Sequence, residues 1–429
     1  MNYKFIISSL YMIISLVLSS SVNAKHWTLQ SSLTQAISAS PELKQSAAEI
    51  GARSADLQLS DMWPDPSISL KLDNQVGLDM GSGDYALSEI SISQGIPIAR
   101  IKYQKTTAQA QLNSAMHAKK NTTLLLQNQV EKVFYELQHA NAIYDLSVQR
   151  VKFANKYNEP ENKKQLNNMV RYLSPLEKMR FSIISEKANQ AEAAAEGKLR
   201  EIRTQFYKLL VLDEEDNITV PELLPVAKVP RLNELGERQL DHPQLSTQKL
   251  TLQAAMSEID VARNSVMKDP SISFSRLREN FSTGVENVYG LMVKVEIPIH
   301  DRKSSVVSKA SYNASQQRIE LGRLKLNLKM NLKRSFMHLN HVMDQALRYK
   351  EKVLIPAAKI LKLSKQGFNS GELNILSLID ANNTYFESHM QYLDLIYQSR
   401  LELADVHLYT GYFILDENSK LRNNTVEEI

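Results

Sequence analysis

The pentapeptide DPSIS at Asp65–Ser69 returns unchanged at Asp269–Ser273. Its first copy lies in SPELKQSAAEIGARSADLQLSDMWPDPSISLKL (Ser40–Leu72), its second in HPQLSTQKLTLQAAMSEIDVARNSVMKDPSISFSRL (His242–Leu277). Each stretch opens with Pro and Leu two residues apart, runs through helix-favouring residues, and turns at Asp-Pro into alternating apolar and polar positions. Downstream, SISQGIPIAR (Ser91–Arg100) matches VKVEIPIHDR (Val293–Arg302), and both carry Ile-Pro-Ile. The spacings are 202 (243 − 41), 204 (270 − 66) and 201 (298 − 97), and a near-constant offset marks a tandem duplication.

Each copy reads as helix, strand, strand, long helix, returning helix. Ile68, Leu70 and Leu72, like Leu291, Val293, Val295 and Ile297, put an apolar residue at every second position, which gives a strand one greasy and one polar face. The connectors NQVGLDMGSGDY (Asn74–Tyr85) and RENFSTGVEN (Arg278–Asn287) are polar and contain glycine, so each copy holds one hairpin. The pattern predicts strands over about 66–76, 85–97, 270–278 and 288–298. Two architectures accommodate them. One is a four-stranded sheet resting on helices, which the strands alone favour. In the other, strands of about ten residues cross a bilayer; four cannot close a barrel, but three chains giving four each close one of twelve.

The helices shift the balance. From Ile101 to Asn158 there is neither Pro nor Gly, and Leu126, Val130, Val133, Leu137, Ala140, Tyr144, Val148 and Val151 recur at steps of three and four. At 1.5 Å per residue that run spans ~87 Å. Leu321, Leu324, Leu328, Leu332, Phe336, Leu339, Met343 and Leu347 keep the spacing along a second run that reaches Gln366. Off that seam, Leu326, Met330 and Met337 form a second stripe, as in a helix packed on both sides. Returning runs over 175–212 and 373–413 complete two helical hairpins, at about 100–213 and 300–413.

Compartment is written at the start. Met1–Ala24 carries Lys4, an uncharged apolar run and a small-residue exit SVNA, the order of a secretory signal peptide cleaved after Ala24; a membrane anchor is the rival reading. Removing it lowers the formal charge from +4 to +3, since only Lys4 is lost. Beyond it no stretch approaches the roughly 20 apolar residues of a spanning helix, so any membrane contact uses strands. There is no cysteine, which excludes disulfides, thiolate metal sites and an acylated N-terminal cysteine. Gly and Pro number only 13 each, as befits a chain of long helices.

No phosphate-binding glycine loop, nucleophile elbow or metalloprotease His-Glu pair is found; absent motifs do not exclude an enzyme, but nothing in the sequence asks for one, and the expectation is of no catalytic residues, no cofactor and no metal site. His338 and His341 lie three apart, a spacing that can present two imidazoles to a metal, but they read as solvated or interhelical polar residues. The methionines are scattered, as in core packing. The basic runs Lys163–Lys164 and 323–333, interleaved with acidic residues, read as solvated helix faces rather than nucleic-acid contacts, and Glu192, Glu196 and Glu201 as surface charges.

With this pattern in hand, Leu354–Gly411 resembles the end of the TolC family of outer membrane efflux proteins. Its Pro-bearing helix, then an aromatic residue and Gly before a polar turn, then Leu-Ile-Asp-Ala and a Tyr- and Leu-spaced helix carry the resemblance. Gln94, Ile96, Pro97 and Arg100 sit where such proteins leave their second strand, and IPIHDRK (Ile297–Lys303) matches that exit in the second copy. The likeness spans the mature chain, as repeats over 25–229 and 230–429. It implies an α+β membrane protein: a homotrimer with a twelve-stranded outer-membrane barrel and a helical barrel in the periplasm. The implied partners are a periplasmic adaptor, an inner-membrane pump of the RND type and outer-membrane lipids, with no nucleic acid. Such a protein is a passive duct for metal cations or drugs, not an enzyme. The Pro356 region and QGIPI look nearest the heavy-metal cation efflux branch. A periplasmic adaptor or coiled-coil scaffold is the alternative, though an adaptor would show one helical hairpin flanked by Gly-rich β domains.

The resemblance also assigns sites. Asp65, Pro66, Pro97, Asp269, Pro270 and Pro298 mark helix-to-barrel junctions, where Asp-Pro would stop the arriving helix. Gly367, Phe368, Gly371, Glu372 and Leu373 form the adaptor-contacting tip of the second hairpin. The first tip, KYNEPENKKQLNNMVRYLSPLEK (Lys156–Lys178), departs from the pattern: it lacks Gly and is broken by Pro160. Some family members close the duct with acidic rings just past the second tip; in LSLIDA (Leu376–Ala381) Asp380 matches one such position and Ser377 the other. Three such carboxylates would bind cations at a narrow pore. The alternative is that Asp380 is an ordinary solvated helix residue.

Overall fold

A computed structural model describes residues 25–73, 87–98, 100–158, 175–213, 218–227, 229–265, 269–281, 284–297 and 302–415. The expected signal peptide (Met1–Ala24), most of the expected first strand connector, residues 159–174 of the expected first tip and the expected junction residue Pro298 lie outside the described residues. The chain divides into two compact units, one of residues 1–41, 123–239 and 330–429, the other of 42–122 and 240–329.

The second unit holds the sheet. Helix α2 (Pro41–Ser60) leads to β2 (Ser67–Asp73) and β3 (Leu87–Gly95); α6 (Pro243–Asn264) leads to β5 (Ser271–Phe281) and β6 (Gly284–Lys294). These four strands form one antiparallel sheet in the order β2-β3-β5-β6. The long helices α3 (Arg100–Asn158) and α7 (Arg302–Tyr349) begin where β3 and β6 leave off. Their first turns join α2 and α6 in a row: Lys105 Nζ meets Asp61 at 2.8 Å, Ser114 Oγ bonds Thr251 Oγ1 at 3.0 Å, and Gln248 Nε2 donates to Gln317 Oε1 at 2.9 Å.

The first unit is helical, apart from a short parallel pair, β1 (Lys25–His26) with β4 (Ile218–Thr219). Helix α1 (Leu29–Ala39) starts at a capping box in which Thr28 and Ser31 satisfy each other's exposed N–H groups. Helix α4 (Pro175–Leu210) packs on α3 through Phe206 and Phe134, and Trp27 meets Phe206 edge-on at 6.0 Å. On the other side of α3 lies α9 (Ile375–Thr410), joined through Leu146, Phe386 and Leu393. Helix α8 (Ile355–Asn369) adds Leu361 to Leu378, Ala381 and Phe153, and the short α5 (Leu232–Arg238) adds Leu235 to Leu332, Leu339 and Val406. The order across the unit is thus α4, α3, α9, then α7 and α8. No helix among the described residues is long and apolar enough to cross a membrane.

Four details differ from the sequence expectation. First, the second hairpin is longer: Arg278–Phe281 and Gly284–Asn287 are paired strand rather than connector, down to Phe281 opposite Gly284. Polar side chains there do not oppose pairing, because each strand needs only one apolar face. Second, β6 ends at Lys294, so Val295 and Ile297 continue the alternation without belonging to the ladder. Third, Asp-Pro does not stop the arriving helices. Helix α2 ends at Ser60 and α6 at Asn264, each several residues earlier, and Asp-Pro instead precedes the first paired residue, Ser67 or Ser271. Fourth, the second long helix is interrupted by a π-helical turn at Lys350–Leu354, where Ile355 donates to Lys350 O. Pro356 has no N–H to give and its ring crowds the preceding turn, so the ladder widens by one residue there. Ahead of that turn Val342 and Ala346 are buried, while Leu347 is exposed. Leu326, Met330 and Met337 are exposed.

Candidate channel wall, junction and tip

The register of the sheet sorts its side chains into two faces. On one lie Ile68, Leu70 and Leu72 of β2, Ile90 and Ile92 of β3, Ile272 and Phe274 of β5, and Leu291 and Val293 of β6, each opposite another of the set or beside it. All nine are exposed, Leu70 at 65 % and Leu291 at 74 %, so the chain by itself holds this apolar face against solvent. The other face carries the serines, together with Lys71, Glu89, Val288 and Met292, while Arg276 shares the apolar face opposite Ile90. Ser69 Oγ bonds Ser91 Oγ at 2.7 Å and Ser273 Oγ donates to Ser93 Oγ at 2.8 Å, two rungs of a hydroxyl ladder running across three strands. Ser275 faces Gly290, where a Cβ would stand 2.9 Å from the hydroxyl, so glycine lets the ladder close up against β6. Contiguous exposed apolar surface of this extent marks contact with lipid or another protein. A polar face behind it suits water.

The junction between sheet and helices is tied by groups that come together from both DPSIS regions. Arg100, at the start of α3, places Nη2 2.7 Å from Asp269 Oδ2. Ile96 N–H donates to Pro270 O at 2.7 Å, extending the β3–β5 ladder past its last paired residue. Gln94 Nε2 donates to Pro64 O at 2.8 Å, and Gly95 lies so near Pro64 that a Cβ there would stand 3.1 Å from Cγ. Pro97 sits between β3 and α3. Sequence reasoning singled out Arg100 and Asp269 separately but did not pair them; the i-to-i+169 separation gives no local signal.

The second tip is a Schellman closure. Gly371 has φ +79°, Glu372 N–H donates to Gly367 O at 2.8 Å, and Gly371 N–H donates to Phe368 O at 3.1 Å. Leu373 folds back so closely that a Cβ on Gly367 would lie 2.8 Å from its Cδ1. Asn374 then caps α9, its side chain accepting from Ser377 N–H at 3.0 Å. The predicted tip residues Gly367, Phe368, Gly371, Glu372 and Leu373 are therefore one compact turn, and Ser377 is engaged at the cap. Asp380, on the second turn of α9, is exposed and has no ion-pair partner among the described residues. Nearby, Arg150 of α3 donates to Asn383 Oδ1 at 3.0 Å.

Polar groups inside the helical unit were not foreseen. Glu131, fully buried, accepts from Gln127 Nε2 at 3.0 Å and lies 2.8 Å from His407 Nδ1. Gln127 also bonds Tyr412 O and Ile414 N–H, each at 3.0 Å, fastening the segment after α9 onto α3. His139 stacks on Tyr397 at 4.7 Å and bonds Asp394 at 2.8 Å. Burial, with the Glu136 carboxylate adding to it, pushes the Tyr397 hydroxyl up to about 12. His338 bonds Glu402 at 2.8 Å instead of joining His341. Among the described residues no group of three His, Cys, Asp or Glu is placed to hold a metal.

The fold is shared with solved outer-membrane channels. Over 89 % of its length this chain superposes on 92 % of CusC, a protein that forms a transmembrane channel, with a TM-score of 0.71 and 16 % identity. The Campylobacter jejuni CmeC outer membrane channel gives 0.71 and 13 % identity over 92 % of this chain and 88 % of its own. The open state of the Neisseria gonorrhoeae MtrE outer membrane channel gives 0.69 and 15 % over 89 % and 88 %. In sequence, the chain is similar to the cobalt-zinc-cadmium resistance protein CzcC of Cupriavidus metallidurans, 24 % identical over 179 residues. That stretch is 42 % of either protein. No protein-family model matches the chain.

Proposed function

We propose that this chain is a TolC-family outer-membrane efflux channel, the duct subunit of a tripartite system. The observation that carries the reading is the sheet: nine exposed apolar residues on one face, a serine ladder on the other and, at either edge, a strand paired on one side only among the described residues. Three chains contributing four strands each would form a closed twelve-stranded barrel, its apolar face to lipid and its serines to water. The two halves, 25–229 and 230–429, would be duplicated hairpin units, and the helices a periplasmic tube that meets an adaptor at the Gly367–Leu373 turn. An inner-membrane pump of the RND type would supply the energy, and the chain itself would catalyse nothing. The likeness to CzcC supports metal cations as cargo, with drugs as the alternative. In fractionated cells the protein is expected in the outer membrane as heat-sensitive trimers; a soluble periplasmic monomer would reject the reading. On a deletion strain, sensitivity to cobalt, zinc and cadmium without sensitivity to dyes or antibiotics would assign the cargo.

A further inference from the structure

Charge on the sheet is divided between its faces. Arg276 and Arg278, two residues apart on β5, fall on the face of Ile90, Phe274 and Leu291, whereas Glu89 and Glu286 fall on the face of the serines. The rungs that hold the arginines run Leu70, Ile90, Arg276 and Tyr289, then Leu72, Ser88, Arg278 and Asn287, with no acidic residue in either. Both arginines are exposed. Arg276 Nη2 donates to Asn287 Oδ1 at 3.2 Å, and neither guanidinium has a carboxylate partner among the described residues. Tyr289, beside Arg276, stacks on Phe274 with ring centres 6.2 Å apart.

Where these rungs lie along the strands decides what they meet. Helices α2 and α6 lead into the sheet at Ser67 and Ser271, and the Phe281–Gly284 turn closes its far end. Exposed apolar residues alternate from Ile297 through Val295, Val293 and Leu291 up to Tyr289, a distance of 8 residues (297 − 289). That is ~27 Å along an extended strand and ~21 Å of height at a barrel tilt of about 40°. The apolar band of an outer-membrane barrel is about 25 Å tall. Arg276 thus reaches the rim of the band, where a long side chain carries its charge out to the headgroups, and Arg278 lies ~5 Å higher, among them. With the helices in the periplasm, that rim belongs to the outer leaflet.

Resting on the channel reading above, we propose that Arg276 and Arg278 form a binding site for the phosphate of an outer-leaflet lipid, whose acyl chains lie along the apolar rungs below. Side chains two residues apart on one strand face start ~7 Å from each other, so two guanidinium groups converge on a single phosphate. Their planar forks suit its oxygens, and Arg276 has spent one of its donors on Asn287. Charge complementarity selects the occupant. The two cations stand together without acidic neighbours on the face that meets lipid, while the acidic residues Glu89 and Glu286 stand on the face that meets water. Tyr289 adds the aromatic surface typical of a barrel at headgroup level.

Native mass spectrometry of the full mature chain in detergent, titrated with diphosphorylated lipid A, tests the site. The protein is expected to bind it about tenfold more tightly than dephosphorylated lipid A, and Arg276→Gln with Arg278→Gln to abolish most of that preference. Lys71→Gln, which removes a charge from the other face, should leave the preference unchanged. Arg276→Lys with Arg278→Lys keeps the charge but loses the forks, and should retain only part of it. If the Gln pair gives no heat-sensitive trimers, the Lys pair and the two single Gln variants read the same site. No preference for the phosphorylated lipid, a preference that survives the Gln substitutions, or inorganic phosphate binding as tightly as lipid A overturns the proposal and leaves the channel reading intact. A chain that never enters the outer membrane overturns both.

Discussion

Ile92→Arg and Ser91→Arg place the same side chain at adjacent positions near the middle of β3, on opposite faces of the sheet. Ile92 lies between Ile68 and Phe274 and is 51 % exposed in the isolated chain. If lipid covers that remaining half, losing it forfeits about 1 kcal/mol of apolar transfer. A guanidinium near the bilayer midplane of a barrel costs ~2–4 kcal/mol more. The substitution should therefore cost ~3–5 kcal/mol for each copy. Ser91→Arg breaks one hydroxyl bond to Ser69, at 2.7 Å, and places the charge in water. That loss is about 1 kcal/mol. The gap of at least ~2 kcal/mol corresponds to roughly 30-fold in the folding equilibrium. Urea titration of protein folded into short-chain phosphatidylcholine vesicles, followed by the gel shift between heated and unheated samples, measures both. Equal losses, or a larger loss for Ser91→Arg, would refute the assignment of the apolar face to lipid.

Glu131→Ala leaves Gln127 and His407 facing a buried void and is expected to cost ~3–5 kcal/mol in thermal unfolding of the helical signal, with Glu131→Gln costing less; a loss under ~1 kcal/mol would show that the buried group is not integral to the core. Gly371→Ala forces a Cβ into left-handed backbone and should destabilise the tip by about 1 kcal/mol, measured by hydrogen exchange over Phe368–Leu373, while leaving trimer assembly unchanged. Asp380→Asn is expected to lower cation block of single-channel current in planar bilayers; unchanged block would mean that Asp380 is only a solvated helix residue. His389 is held below the usual imidazole range by burial, and its Nδ1 has no hydrogen-bond partner. The folded state thus prefers the neutral ring, so this contribution to stability is present above about pH 6.5 and declines as acidification protonates the unfolded chain. His389→Gln should flatten the difference between urea midpoints at pH 7.5 and 5.5, and an unchanged difference would reject that role.

What the sequence disclosed follows from how local each signal is. The strand pattern was legible because period-two alternation is written within seven to eleven residues, and the serines of DPSIS turned out to face the same side as Ser91 and Ser93. Connector length was misjudged at Arg278–Asn287, since polar composition describes both a turn and the wet face of a strand. The π turn at Lys350–Leu354 was hidden because Pro356 signals a disturbance without saying whether the helix will kink, stop or widen. Least legible were the long-range ties, Arg100 with Asp269 and Glu131 with His407, which join residues 169 and 276 apart. A charged side chain in a helical run looks the same on paper whether it is solvated or buried.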